Sequence, residues 1–307
     1  MKEEIRAITN GAVEPRRTKP FPDAANNSEE MAGGQARDKI DFKSYSMTTS
    51  TQLKPGRREV DSLELDTISI SHRYRALAKP AREIALNLGR VAPHLVALQD
   101  PDLWASEQFD GLALKLIAGT AKQVFKRILV ASAHQGEGRT SVLLNLAAAL
   151  ARAGKRVLVI DSDLLRPSIL RLLGVETEIG LAEAFGRGLP LGAAMLRIQP
   201  CGFDVLPTRE RVVNHVEILG SAPFWEMLEP FDSDYDFVLF DSPAMLERPD
   251  STMLMNLADT ALIVICPGMT KSAEMAKAIE LLSEEDIFGV VLNRIPNHLF
   301  DGQPKHW

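Results

Sequence analysis

From Phe125 onward, apolar runs of four to six residues alternate with longer segments whose apolar positions recur at helical spacing. Residues 128–131 (ILVA) read as a buried strand, followed by a glycine-containing loop and a helix over 140–153 that Gly154 stops. A second continuous apolar strand, 156–160, runs into Asp161-Ser162-Asp163. Further strands are expected at 203–206, 237–240, 261–266 and 290–293, with helical segments around 168–174, 181–186, 222–230, 252–257 and 271–283. Strands without polar alternation, separated by helices, predict a mostly parallel sheet covered on both faces. The fold class is therefore α/β, in three layers.

Upstream the pattern differs. Residues 74–88 have helical spacing, and a second helix over 103–117 places Leu103, Phe109, Leu112 and Leu116 on one side. The intervening HLVALQDPD reads as a short extended piece entering a turn. Residues 69–122 are thus expected to form a helical lead-in packed on a main domain over 123–307. Residues 1–68 show no sustained apolar periodicity and are rich in charge, Pro, Gly and Asn. Such a segment buries too little apolar surface to offset about 1–2 kcal/mol of ordering per residue, so a disordered tail is expected.

Composition narrows the picture without redirecting it. The chain has 307 residues, 45% of them hydrophobic and 25% charged, as in ordinary globular proteins. A net charge of −6 gives no reason to expect nucleic acid as a partner. Its two cysteines, Cys201 and Cys266, lack metal-ligand spacing and suit a reducing, cytoplasmic setting. No apolar run reaches the ~20 residues of a membrane span, and the charged N-terminus has no secretory apolar core. Work at a membrane would need recruitment to its inner face by another chain.

The chemistry is concentrated at three strand ends. Between the first strand and its helix lies AHQGEGRTS, residues 133–141. A glycine loop in that position aims backbone N–H groups at phosphate, and the helix N-terminus adds its own donors. Gln135, Gly136, Glu137, Gly138, Arg139, Thr140 and Ser141 are the candidate phosphate-binding residues. Arg139 occupies the place of the cationic clamp, and the Thr140 hydroxyl suits Mg²⁺. Asp161 and Asp163 follow the second strand, and Asp241 follows the strand at 237–240. Strand carboxyl ends are where α/β folds hold ligands, and Mg²⁺ takes one or two carboxylates with phosphate oxygens.

Together the loop, AGKRVLVIDSDLLRPS, DFVLFDSP and GVVLNRIP, in this order, resemble the bacterial tyrosine kinases of capsule and exopolysaccharide clusters (CpsD/CapB type). These belong to the wider MinD/ParA-like group of P-loop ATPases. The resemblance covers about residues 93–296 and implies binding of ATP/ADP with Mg²⁺. It assigns catalysis to Arg139, Asp161, Asp163 and Asp241, and metal binding to Thr140 and the same three aspartates. It also implies that Asn293 and Arg294 lie near the adenine, and that one aspartate of the second motif accepts the proton of the attacking hydroxyl. As partner it implies a membrane-embedded polysaccharide co-polymerase or export protein with a cytoplasmic activator segment, together with self-association.

The departures from that pattern are specific. Gln135 replaces a frequent proline, Leu165 replaces the first arginine of DxDLRRP, and Arg139 replaces the lysine. The family's Glu-x-x-Arg-x-x-Arg helix appears as Glu107, Asp110 and Ala113. The family's tyrosine-rich tail is absent, since the only tyrosines are Tyr45, Tyr74 and Tyr235. The leading expectation is a Mg-dependent phosphoryl-transfer protein of the tyrosine kinase type that regulates polysaccharide synthesis or export. Two alternatives stand beside it, a slow MinD/ParA-like switch ATPase and a nucleotide-binding scaffold.

Overall fold

The computed structural model describes residue 80 and residues 82–121 and 123–295. The expected tail over 1–68, the first part of the helix expected over 74–88, and the chain after residue 295 lie outside the described residues. In chain order the main elements are β1 (Arg82–Ala85), α1 (Val96–Gln99), α2 (Trp104–Thr120), β2 (Arg127–Ser132), α3 (Arg139–Arg152) and β3 (Val157–Asp161). They continue with β4 (Leu196–Gln199), β5 (Phe203–Leu206), β6 (Phe237–Asp241), β7 (Thr260–Ile265) and β8 (Ile287–Leu292).

The eight strands form one sheet in the order β1-β4-β5-β3-β6-β2-β7-β8. All neighbouring pairs are parallel except β4 and β5, which are antiparallel. The inner strands are apolar on both sides because both faces are covered. Leu129, Leu158, Ile160, Val238 and Phe240 enter one core, while Ile128, Val130, Val157, Val159 and Leu239 enter the other. This period of two divides each strand between two helical layers, giving the expected three-layer α/β/α architecture.

The helix α3 is buried along most of its length between the sheet and α1 and α2. Its Asn145, 1% exposed, receives the Ala97 N–H at 2.8 Å and donates to the carbonyls of His94 and Ser141. That side chain caps α1, which corrects the expectation of an extended piece at HLVALQDPD. Leu95, Ala97 and Leu98 gain a core by turning helical there.

Two further expectations are corrected. Residues 82–85, read as helix, form β1, which adds parallel to β4 with Arg82 opposite Leu196 and Ala85 opposite Gln199. Four residues of weak helical spacing cannot outweigh an open sheet edge whose N–H and C=O groups need partners. Leu103 does not join Leu116 in the core. It is 45% exposed as the residue capping α2, whereas Phe109 and Leu112 pack partly and Leu116 is fully buried.

The same helix accounts for two of the departures in sequence. Asp110 pairs with Arg152 of α3 at 2.6 Å, and Ala113 is buried. An arginine at 113 would have to enter the α2–α3 contact, so the helix uses these positions for internal packing. Tyr235 is likewise structural: its hydroxyl donates to buried Asp204 at 2.7 Å, and Arg197 grips the same carboxylate with bonds of 2.8 and 2.9 Å.

Candidate nucleotide site

Three adjacent inner strands, β3, β6 and β2, deliver the site at their carboxyl ends. Asp161 and Asp241 are direct partners in the parallel register of β3 and β6, and Val130 of β2 stands opposite Asp241. The glycine loop leaves β2 and turns into α3 through Gly138, whose φ is +94°. A Cβ at this position would lie 2.2 Å from the Asn293 amide nitrogen, which donates to the Glu137 carbonyl at 2.8 Å. Gly138 is thus required both by its left-handed backbone and by the close approach of Asn293. Gly138→Ala is expected to reduce nucleotide affinity at least tenfold while the protein stays folded, as measured by calorimetry beside circular dichroism.

The loop is braced from inside. Glu137 is fully buried, accepts the His134 N–H at 2.8 Å and accepts the Thr270 hydroxyl. Gly136, with φ +89°, and the exposed Gln135 form the outward-facing part. Ser141 contributes its carbonyl to Asn145. Arg294 follows Asn293 with φ +57°; it is exposed and makes no hydrogen bond to the loop among the described residues. The structure therefore brings together all the expected residues of the loop, the three aspartates and Asn293, and leaves Arg294 at the periphery.

Arg139 folds back into the loop that carries it. Its Nη1 donates to Ser132 Oγ at 2.8 Å and to the His134 carbonyl at 3.2 Å, and its Nη2 lies 3.5 Å from Asp163 Oδ2. Thr140 donates its hydroxyl to Asp241 Oδ2 at 2.6 Å and accepts from Ser168 Oγ at 3.1 Å. Asp161 Oδ2 receives the N–H groups of Ser168 and Ile169, both at 3.3 Å. Asp163 receives the Arg166 N–H at 3.1 Å.

Asp161 Oδ1, Asp241 Oδ1 and Arg139 Nε are buried without a hydrogen-bond partner. Each such group costs about 1–3 kcal/mol unless a ligand satisfies it. Two orphaned carboxylate oxygens beside a threonine hydroxyl are a hard-oxygen set of the kind Mg²⁺ uses, so the residues fit this ion. Among the described residues no three His, Cys, Asp or Glu side chains are grouped so as to hold a metal ion by themselves.

Burial pushes the Asp241 carboxyl up to about 6, against the pull of Arg139 and Thr140. Asp161 is held well above the ordinary carboxylate range by burial and then by the Asp241 charge. Asp163 is raised by burial and restrained by Arg139 and the Arg166 N–H. Crowded carboxylates in a dry setting resist ionisation until a cation arrives.

Sequence reasoning missed Ser132, Ser168, Glu247 and Thr270. Ser168 closes the DLLRPS stretch without a role assigned to it, the others belong to no spaced motif, and Glu247 and Thr270 reach the loop from 112 and 133 residues away.

A family model of the ParA type, described as NUBPL iron-transfer P-loop NTPase, matches residues 123–297, and the chain belongs to this family of P-loop NTPases. It is 29% identical to the tyrosine-protein kinase YwqD of Bacillus subtilis (strain 168) over 206 residues, covering 66% of this chain and 87% of that one. It is also 29% identical to the tyrosine-protein kinase etk of Escherichia coli (strain K12) over 170 residues, 55% of this chain and 23% of that longer protein. The solved kinase domain of the Escherichia coli tyrosine kinase ETK superposes with a TM-score of 0.62 at 26% identity, covering 67% of this chain and 83% of that one. The resemblance read from the motifs is borne out: the chain is a P-loop NTPase that is similar in sequence and in fold to bacterial tyrosine kinases. Among the described residues no helix is long and apolar enough to cross a membrane.

Proposed function

We propose that this chain binds Mg·ATP at the loop over residues 133–141 and transfers its terminal phosphoryl group, and that it regulates capsular or exopolysaccharide synthesis or export. The observation that carries the reading is the pair of orphaned oxygens on Asp161 and Asp241, in register on adjacent strands beside the Thr140 hydroxyl. Bound Mg²⁺ would neutralise charge developing on the phosphates, and catalysis of this kind is positioning plus charge stabilisation. Thr140, Asp161 and Asp241 would hold the ion, while Arg139 would grip phosphate oxygens after releasing Ser132. Asp163 is buried and held by Arg139 and the Arg166 N–H, and its raised carboxyl suits it to take the proton of an attacking hydroxyl. Asn293 and Arg294 would flank the base.

The acceptor is a residue other than Tyr235, whose hydroxyl is committed to Asp204 in the core. A polysaccharide co-polymerase or export protein in the membrane is the partner that fits the resemblance, with recruitment of a cytoplasmic chain to the inner membrane face. A second reading, a slow switch ATPase or scaffold, is favoured by one observation: Arg139 is drawn into contacts with its own loop.

One experiment separates these. Purified chain is given labelled ATP and Mg²⁺, alone and with added tyrosine-containing polymer, beside an Asp161→Asn/Asp163→Asn variant. Phosphotyrosine that disappears in the variant supports the kinase; hydrolysis without phosphotyrosine supports the switch. Binding without turnover supports the scaffold, and no binding at millimolar ATP overturns all of them.

A further inference from the structure

The outer end of the phosphate loop is closed by a cluster foreign to the loop's own motif. The Gln135 N–H donates to Glu247 Oε1 at 2.9 Å. Arg166 Nη1 lies 3.3 Å from Glu247 Oε2 and also donates to the Gln135 side-chain oxygen. Arg166 rides on the segment leaving Asp163, and Glu247 on the segment leaving Asp241. Both partners therefore stand on chain that emerges from carboxylates of the candidate site.

Backbone N–H groups of such a loop are donors for phosphate oxygens. A carboxylate is an anion that only accepts, and here it takes the contact a phosphate oxygen would take. The Gln135 N–H, followed by the Arg166 guanidinium, holds the Glu247 carboxyl below its usual range, so it stays ionised. The side chains of Arg166 and Glu247 are 46% and 34% exposed, so both can swing away without opening the core.

We propose that Glu247 sets the preference between nucleoside diphosphate and triphosphate, by occupying the loop donor that a terminal phosphate would use and by holding Arg166 ready for that phosphate. The inference rests on the reading of the loop as a nucleotide site. In a loop of this kind the backbone nearest the helix, here Gly138 and Thr140, would serve the inner phosphates and the clamp cation would reach outward; Gln135 lies at the other end of the loop. A diphosphate leaves the Gln135–Glu247 contact in place. A triphosphate brings negative charge against the carboxylate, so Glu247 must leave and Arg166 exchanges one anion for another. Arginine suits the exchange, because its planar fork binds carboxylate and phosphate alike.

The test uses the full chain with Mg·ADP and with Mg²⁺ plus a non-hydrolysable ATP analogue, titrated calorimetrically. Glu247→Ala is expected to tighten the analogue by about tenfold while ADP changes less than about twofold. Glu247→Gln, which keeps an acceptor for the N–H but loses the charge, should fall between. Arg166→Ala is expected to weaken the analogue selectively. Equal shifts for both nucleotides in Glu247→Ala, or no shift in either, would overturn the proposal with the nucleotide site intact. Wild-type chain that binds neither nucleotide would overturn the site itself. Unchanged thermal unfolding of the variants keeps the comparison free of folding defects.

Discussion

Asp241→Asn is expected to lower metal-dependent turnover at least 100-fold and, at the same time, to stabilise the metal-free protein. The first effect follows from loss of a charged ligand, since small errors in placing the reacting groups already cost about 100-fold. The second follows from the geometry of β3 and β6. Asp241 stands beside Asp161 in register, both fully buried, each with one oxygen unpartnered. Asparagine keeps an oxygen for the Thr140 hydroxyl and removes the charge from a carboxyl that burial has pushed up to about 6.

The pH dependence has a definite sign. Below pH ~4 the carboxyl is neutral in both folded and unfolded chains, and the site makes no pH-dependent demand. Between about 4 and 6 the unfolded chain ionises while the folded one resists, so stability falls as pH rises. At about 1.4 kcal/mol per pKa unit the loss is on the order of 2–3 kcal/mol, levelling off above pH ~6. Asp161 shifts in the same direction and deepens the effect. Thermal unfolding in chelator at pH 5 and 7.5 should show the slope in the wild type and a smaller one in Asp241→Asn. Added Mg²⁺ should stabilise the wild type at pH 7.5 and lose that effect toward pH 5. A metal-free variant less stable than the wild type at pH 7.5 would sink the account of strained carboxylates.

Arg139→Lys is expected to raise the rate of ATP turnover by about 10- to 100-fold, with less than about tenfold change in nucleotide affinity. The guanidinium is spread between Ser132, the His134 carbonyl and Asp163, and its Nε is left without a partner. To serve phosphate it must give up those contacts. Lysine is a compact charge with three rotatable donors, so it can follow the transferring group along the phosphate chain. Comparison of kcat and KM for ATP in the two proteins decides the matter. A slower Arg139→Lys enzyme would show that the surrounding residues are adapted to a guanidinium.

The inner strands were legible in the sequence because burial on both faces writes them as uninterrupted apolar runs. Their carboxyl-terminal aspartates stood out for the same reason, as charges at the ends of those runs. β1 was not legible: Arg82–Ala85 has no pattern of its own and takes its shape from the edge of β4. α1 depends on Asn145, a side chain 48 residues away that caps it. The same physics limited the site. Thr140, Asp161, Asp163 and Asp241 announce themselves by spacing, whereas Glu247 acquires its place through one long-range bond to Gln135.

Strand order also bears on what this chain can change without losing its chemistry. The strands that present the loop, Asp161 and Asp241 are neighbours in the interior of the sheet, each paired on both sides. Opening a protein locally is easiest at frayed borders and hardest where pairing is two-sided. β1 and β8 form those borders, so insertions, new docking faces or altered assembly contacts there leave the engine seated. α2 has already changed in this way away from the strand ends, with Asp110 and Ala113 standing where the resemblance implies arginines.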